Sequence, residues 1–269
     1  MKNYFIYVFI LILDFNVYSQ QNQIDDKNHI ATDEKLFVGE DLTYVVKYAF
    51  LNLGEIRFKV LEKTKINDIA VYKTIAYIDS YPDLPFVSLH QIYESYIDSS
   101  LFPLKFFAEI FANDTIFVNY NFIGNSKIEI QKGKLGVKKL LLDSTAQTHH
   151  RMLDGLSILY YARMNFGKNQ KLSVPCFVNE KEEKALLNFY NDPEPVSIEA
   201  VDYEIDCLYL DGETDFVSVY GLTGSFEGWF SNDQFSVPIQ AKMHVIIGNI
   251  NLELIKWNKE IWNPPLYKN

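Results

Sequence analysis

Apolar and polar side chains alternate along most of the chain from Leu36 onward. Leu42, Tyr44, Val46 and Tyr48 occupy every second position of one segment, and the same period recurs in many later ones. Successive side chains of a strand point to opposite faces, so this period predicts half-buried β-strands. Asn, Asp and Gly residues separate the segments, as turns would. The pattern predicts strands at 41–50, 54–64, 69–79, 89–97, 104–112, 115–123, 126–131, 134–142, 170–178, 183–190, 196–212, 215–222, 224–231, 235–247 and 249–257.

One segment has a helical period instead. Met152, Leu156 and Leu159 recur at spacings of three or four residues, which is typical of the buried face of a helix. We therefore predict a single helix at about 150–165. Asp154 near its start and Arg163 near its end would complement the helix macrodipole, so we expect structural roles for both rather than ligand binding.

The pattern is continuous, since no composition shift, low-complexity linker or internal repeat divides it. Many short strands at regular intervals are typical of antiparallel sandwiches and barrels. We therefore predict one all-β, mainly antiparallel domain at 36–269. Its expected form is a meandering barrel-like or curved sandwich, with the helix inserted between two runs of strands.

The first residues have the pattern of a secretory signal peptide. Lys2 precedes an apolar run at 4–13, which is too short to cross a bilayer of about 30 Å. We expect a signal peptide at 1–19 and a flexible leader at 20–35; a buried strand or a membrane anchor is the alternative. No transmembrane span and no lipid-bearing cysteine are expected, so the mature chain should be soluble in the periplasm or outside the cell, and not a lipoprotein.

The composition narrows the class of function. The chain has 20 Phe, 18 Tyr and 3 Trp residues, and aromatic side chains favour the pleated, half-buried surfaces of sheets. Its formal net charge is −10, whereas a nucleic-acid-binding protein needs a basic face. We therefore expect no nucleic acid among the partners.

Patterns typical of catalytic sites are sparse. The chain lacks a nucleophile elbow, a dinucleotide-binding loop and a Walker A loop,. Its five histidines are dispersed, and the adjacent His149 and His150 cannot point the same way on a helix or strand,. We expect no catalytic residues, no metal and no cofactor. Pairs of acidic residues arise by chance among 35 carboxylates, so a glycosidase is only an alternative.

The two cysteines, Cys176 and Cys207, each lie in a predicted strand. In an oxidising compartment they could form one disulfide. The alternative is a pair of buried free thiols, which pack as small apolar side chains.

The predicted strand at 224–231 contains the best candidate for a binding site. Alternation places Trp229 with Glu227 and Ser231 on one face, and Phe226 with Phe230 on the other,. The first face is more polar and predicts a ligand-binding groove, with Trp229 as an aromatic platform for a sugar ring or lipid. Phe226 and Phe230 are predicted to be structural core residues. Core packing of Trp229 is the alternative.

The order of several short motifs along residues 36–257 is informative. The motifs are Gly39-Glu40-Asp41-Leu42-Thr43-Tyr44, Tyr93-Glu94-Ser95-Tyr96-Ile97-Asp98, Leu101-Phe102-Pro103-Leu104, Asp154-Gly155-Leu156-Ser157, Gly228-Trp229-Phe230-Ser231 and Val237-Pro238-Ile239. This order resembles the exported domain-of-unknown-function family 3108 (DUF3108), described as having a YmcC-like fold. The resemblance implies a β-rich, barrel-like fold in the bacterial envelope, relatives associated with polysaccharide or capsule export, and no established reaction.

These observations together favour an exported, non-enzymatic envelope protein. We expect it to bind or scaffold a glycan or lipid in surface-polymer biogenesis, with envelope assembly proteins as candidate partners. A hydrolase acting on envelope polysaccharide and a purely structural interaction protein are the alternatives.

Overall fold

The structure is a computed structural model that describes residues 36–82, 84, 88–216, 224–245 and 248–268. The predicted signal peptide and leader lie outside the described residues. In the described part, the chain forms fifteen strands and one helix, α1 (Ser157–Met164). The strands are β1 (Asp41–Tyr48), β2 (Leu51–Ile66), β3 (Ile69–Ser80), β4 (His90–Asp98), β5 (Pro103–Ile110), β6 (Ile116–Ile123), β7 (Lys127–Lys134), β8 (Leu140–Gln147), β9 (Gln170–Val178), β10 (Lys181–Phe189), β11 (Glu194–Val196), β12 (Ile205–Thr214), β13 (Gly224–Ser231), β14 (Pro238–His244) and β15 (Asn249–Lys256).

All the strands belong to one antiparallel sheet. Its order is β8-β7-β6-β5-β4-β3-β2-β1-β15-β14-β13-β12-β10-β9, with β11 paired beside β12. Pairing of β1 with β15 joins the early meander to the later one. Strands β8 and β9 end the order, so the sheet formed by the described residues is not closed. The predicted all-β, antiparallel class with one inserted helix is confirmed.

The core lies between the sheet and α1. Leu156 and Tyr160 pack in the larger buried cluster with residues of the early strands. Ala162, on the same helix, packs in a second cluster with residues of β9, β10, β12 and β13. The helix therefore connects the two halves of the core, which lets one curved sheet bury both.

Several predicted strand boundaries are correct, and others are not. Strands β9 and β13 match the predicted 170–178 and 224–231. The predicted strand at 134–142 is wrong: the chain turns after β7 through Gly136, which has a φ of 79°, and β8 begins at Leu140.

The predicted strand at 196–212 is also interrupted. Residues 197–204 leave the sheet between β11 and β12, and Ile198 is buried in the larger core cluster. Because Ile198 is buried although it lies outside a strand, the apolar pattern wrongly predicted one continuous strand here. Most of the predicted strand at 215–222 lies outside the described residues.

The helix is shorter than the predicted 150–165. Leu153 forms a parallel bridge to Cys176 of β9, with the Leu153 amide donating to the Pro175 carbonyl at 3.0 Å. Residues before Ser157 are thus extended or turned, although they are as apolar as a helix face. The spacing of apolar residues here reflects burial, and both a helix face and a β-bridge bury residues.

Asp154 is buried and holds the turn that precedes this helix. Its Oδ1 accepts hydrogen bonds from the backbone amides of Leu156 at 2.8 Å and Ser157 at 2.7 Å. The Ser157 hydroxyl in turn accepts from the Asp154 amide at 2.9 Å. Asp154 lies two residues before the N-cap position, Leu156, which has no side-chain cap. The reciprocal hydrogen bonds therefore hold the turn that leads into the helix. Ser95 of β4 donates to the other carboxylate oxygen, so this turn is also attached to the early meander.

We expect the Asp154 carboxyl to make stability depend on pH. Burial raises its pKa above 3.8, although the hydrogen bonds oppose that change. The folded state therefore holds this proton more tightly than the unfolded chain. The group's contribution to stability is fully present below 3.8 and is lost as pH rises through the raised folded-state pKa.

Asp154→Asn removes this titration but keeps an oxygen acceptor. The free energy of unfolding of this variant, relative to that of the wild type, should therefore increase as pH rises from 3.8 to the raised pKa of folded Asp154. Urea unfolding at a series of pH values measures this difference. Asp154→Ala should lose about 1–3 kcal/mol at low pH, because the hydrogen bonds to the Leu156 and Ser157 amides and to Ser95 disappear. Its deficit should shrink as pH rises, because it also lacks the titrating carboxyl. A constant offset between wild type and Asp154→Asn would contradict the pH dependence.

Arg163 forms a buried ion pair rather than only complementing the helix end. Its guanidinium donates to both Glu40 oxygens, at 2.7 and 2.8 Å, and to the Phe235 carbonyl at 3.2 Å. Arg163 is 2% exposed and Glu40 1%. The contacts link the loop before β1, the helix and the β13–β14 turn. Asp154 and Arg163 have separate partners.

Candidate functional site

A groove of about 690 Å³ lies across strands β9, β10, β12, β13 and β14. Its lining includes Asn188, Tyr209, Asp211, Glu227 and His244. Tyr209 and Asp211 alternate along β12 with Leu208 and Leu210, which are buried. The groove side chains therefore occupy the sheet face opposite the Leu210 core.

Strand register brings these side chains together. Tyr209 pairs with Trp229, and Asp211 with Glu227, between β12 and β13. On the two sides, Asn188 of β10 pairs with Asp211 and Lys242 of β14 pairs with Glu227. Directly opposed residues of an antiparallel pair are close enough to interact. A polar row thus crosses four strands beside an aromatic pair.

The aromatic residues form a row of three rings. Ring centroids of Tyr190 and Tyr209 are 5.3 Å apart, and those of Tyr209 and Trp229 are 5.4 Å apart. The Trp229 indole N–H donates to a carboxylate oxygen of Glu194. Tyr190 is 39% exposed. The row is therefore fixed at its Trp229 end and open to solvent at its Tyr190 end.

Neighbouring groups hold both central carboxylates in place. Asp211 accepts from the Asn188 amide at 2.5 Å and from the Tyr190 hydroxyl at 3.0 Å. Glu227 lies 3.1 Å from Lys242 Nζ and 3.0 Å from His244 Nε2. These contacts orient the carboxylates while leaving acceptor capacity, since each carboxylate has about four lone-pair sites.

Tyr209 keeps its proton over the physiological range. Burial, followed by the nearby Glu227 and Asp211 carboxylates, raises its pKa to about 12. Its hydroxyl can therefore donate a hydrogen bond within the groove, while its ring offers an apolar face.

The structure places only some of the predicted site residues at the groove. Glu227 lines the groove, whereas Trp229 is not one of its lining residues. The Trp229 ring contacts that of Tyr209 and packs against the larger core cluster. Ser231 does not belong to the groove. It is 1% exposed, donates to Asp233 Oδ1 at 2.9 Å and accepts from the Val237 amide at 2.8 Å. A register shift after Trp229 in the pairing with β14 precedes this turn, so alternation alone misplaces Ser231.

The two phenylalanines lie on the opposite face of β13. Phe230 is 4% exposed and belongs to the second core cluster. Phe226 is partly buried against that cluster. Its ring covers Gly212, where an added Cβ would meet it at 2.4 Å. A side chain at position 212 would therefore displace the ring.

The possible disulfide is not formed in the structure. Cys176 and Cys207 are both free and buried, Cys176 in the second core cluster and Cys207 in the larger one. Burial raises the pKa of the Cys176 thiol to about 12 and also raises that of Cys207. Both therefore remain protonated and pack as small apolar side chains.

Sequence reasoning did not identify Tyr209, Asp211 and His244. Alternation along 205–214 contains a signal, because Tyr209 and Asp211 share the face opposite Leu210. Their relevance depends on lying opposite Trp229 and Glu227, and only the pairing register decides that.

Two features are absent from the described ranges. No group of three or more His, Cys, Asp or Glu side chains there is placed to hold a metal ion. Of the helical residues that the structure describes, none form a helix long and apolar enough to cross a membrane.

The chain was compared with known proteins. No curated protein matches it. A crystal structure of a beta-barrel-like protein of the domain of unknown function DUF1849 from Brucella abortus is similar to it. That protein shares 9% sequence identity over 85% of this chain and 97% of its own, with a TM-score of 0.49.

A family model, described as a protein of unknown function (DUF3108), matches residues 43–255. The match runs from the first strand to the last and confirms the family resemblance that the motif order indicated. Because it covers most of the sequence, the chain belongs to the DUF3108 family.

Proposed function

We propose that the protein is a non-enzymatic binding protein that holds an uncharged glycan in the groove across β9, β10 and β12–β14. The observation that carries this proposal is the row of Tyr190, Tyr209 and Trp229 beside the oriented carboxylates of Asp211 and Glu227. A ring face packs against the C–H face of a sugar, while a few oriented polar groups bind its hydroxyls.

The charge of the groove supports an uncharged ligand. Asp211, Glu213 and Glu227 line it with Lys171 and His244, and the whole chain carries a formal net charge of −10. Like charges disfavour an acidic polymer at such a surface. The signal-peptide pattern at 1–19 supports an envelope location, and the motif resemblance supports a role with surface polymers.

The test is isothermal titration of the full chain with cellotetraose and chitotetraose, and with tetragalacturonate as the acidic comparison. We expect saturable binding of at least one uncharged tetrasaccharide and none of the acidic one. Tyr209→Ala should weaken that binding at least tenfold, equivalent to about 1.4 kcal/mol, because it removes the central ring. Tyr209→Phe keeps the ring and should weaken binding less.

Tyr96→Ala serves as the matched control, because Tyr96 is a partly buried tyrosine of β4 outside the groove lining. It should bind the tetrasaccharide as the wild type does. Equal loss in Tyr96→Ala and Tyr209→Ala, or no binding of either uncharged tetrasaccharide, would contradict the proposed site.

Hydrolysis of a polysaccharide is the second candidate, because Asp211 and Glu227 are directly opposed in the sheet. Retaining glycosidases use two carboxyl groups about 5–5.5 Å apart, and directly opposed side chains of an antiparallel pair are near enough to form such a pair. The fixed partners of both carboxylates favour binding instead. Chromatography of the same tetrasaccharides after prolonged incubation separates the two functions: shorter products that disappear in Glu227→Gln would establish hydrolysis.

A further inference from the structure

A second cavity, of about 160 Å³, lies between α1 and the opposite face of the same strands. Leu159 and Ala162 of the helix form one wall, and Phe230, Ala241, Met243 and Leu252 of the sheet contribute to the other. Close-packed protein interiors contain few voids larger than a water molecule. This cavity is partly open to solvent, so it is both large enough and accessible enough to admit a small ligand.

The polar side chains of the lining are directed to partners of their own. The Tyr44 hydroxyl donates to the Pro238 carbonyl at 2.8 Å, and Gln240 Nε2 donates to the Ser197 carbonyl at 2.9 Å. The Thr214 hydroxyl lies 3.4 Å from the Phe216 carbonyl. A buried water needs two to four polar partners, and this cavity offers few. Its chemistry therefore suits an apolar occupant better than water.

The volume indicates how large that occupant is. An apolar cavity of about 150 Å³, engineered into the core of another protein, stays dry and takes up benzene. A cavity of about 160 Å³ thus accommodates on the order of six carbon atoms. Glu227 and Phe226 line both this cavity and the outer groove, so a polar region adjoins the apolar one.

We propose that this cavity is a binding site for the end of an alkyl chain, carried by an uncharged amphiphile. The chain end contacts Leu159, Ala162, Phe230 and Met243. The polar part of the ligand remains at the open side of the cavity. An uncharged group suits a lining whose one charged residue, Glu227, is acidic,. The cavity shares Phe226 and Glu227 with the proposed glycan site, but the proposal does not depend on glycan binding.

The experiment is titration of the full chain with straight-chain alcohols from 1-butanol to 1-decanol. We expect one saturable site whose affinity rises about fourfold for each added CH₂ group. The rise should level off at about six to eight carbons, where the cavity is full. Affinity that keeps rising through 1-decanol would indicate nonspecific apolar binding, and it would overturn the proposal, as would the absence of a saturable site.

Two variants fill the cavity from opposite walls. Ala162→Leu projects from the helix and Ala241→Leu from β14, and each should weaken 1-hexanol binding at least tenfold. Ala146→Leu adds the same atoms on β8, outside the cavity lining, and should bind as the wild type does. Having two filling variants keeps the test valid if one fails to fold, which circular dichroism would show.

The outcomes also separate this site from the proposed glycan site. Tyr209→Ala should bind 1-hexanol normally, whatever its effect on tetrasaccharides. Filling variants that bind 1-hexanol as well as the wild type would overturn the proposal. So would filling variants that gain stability while the wild type binds no alcohol, because the cavity would then be only a packing void.

Discussion

Replacing Arg163 with methionine is expected to lower the free energy of unfolding by about 3–5 kcal/mol, because the Glu40 carboxylate is left buried without its partner. Both side chains are almost fully buried, and the guanidinium also binds the Phe235 carbonyl. Urea unfolding followed by circular dichroism measures the loss. The ion pair joins positions 123 residues apart in the chain. Its loss therefore removes contacts among three segments, which are the loop before β1, the helix α1 and the turn between β13 and β14.

Two controls show that burial causes this loss. Arg57→Met breaks a similar two-contact pair with Asp41, at 2.6 and 2.5 Å, but the Arg57 side chain is 45% exposed. It should cost no more than about 1 kcal/mol. The double variant Glu40→Leu with Arg163→Met should recover much of the stability, because apolar side chains then replace the pair. Equal losses in Arg57→Met and Arg163→Met would contradict the explanation.

Truncating Phe230 to alanine should cost about 3–5 kcal/mol, the range for a buried aromatic side chain. Phe230 is 4% exposed, and its ring centroid lies 4.6 Å from that of Phe166. It also borders the apolar cavity, so truncation enlarges a space that is already unfilled. Thermal and urea unfolding of the variant measure this loss.

Trp229→Ala, one position away, should cost less than half as much. Trp229 is only partly buried. It contacts Tyr209 and the Glu194 carboxylate, and it also packs against the edge of the larger core cluster. It should instead weaken tetrasaccharide binding, because Tyr209 loses its supporting ring. If Trp229→Ala proves the more destabilising change, Trp229 is a core residue and no longer a candidate for supporting ligand binding.

The strands could be predicted because their signal is local. The period of two in segments such as β9 and β13 follows from the geometry of an extended chain, wherever the strand pairs. The same rule predicted that Trp229 and Glu227 lie on one face of β13 and that Phe230 lies on the other. The helix start could not be found this way, because Leu153 is buried by its bridge to β9 and not by a helix face.

The candidate site needed information that the local pattern lacks. Ser231 follows the alternation of β13, but the turn to β14 buries it against Asp233 and Val237. Tyr209 became a candidate only because β12 and β13 pair in the register that sets it against Trp229. A shift of one residue would have turned its ring to the other face.

The sequence by itself determined the period-two strands, the antiparallel all-β class, the polar face of β13 and the family. The tertiary structure alone decided the strand order, the Glu40–Arg163 pair, and the meeting of Tyr209 and Asp211 with Trp229 and Glu227. Side-chain direction along a strand depends on neighbouring residues only. Which distant strands pair, and in what register, depends on loop lengths and on burial summed over the whole sheet.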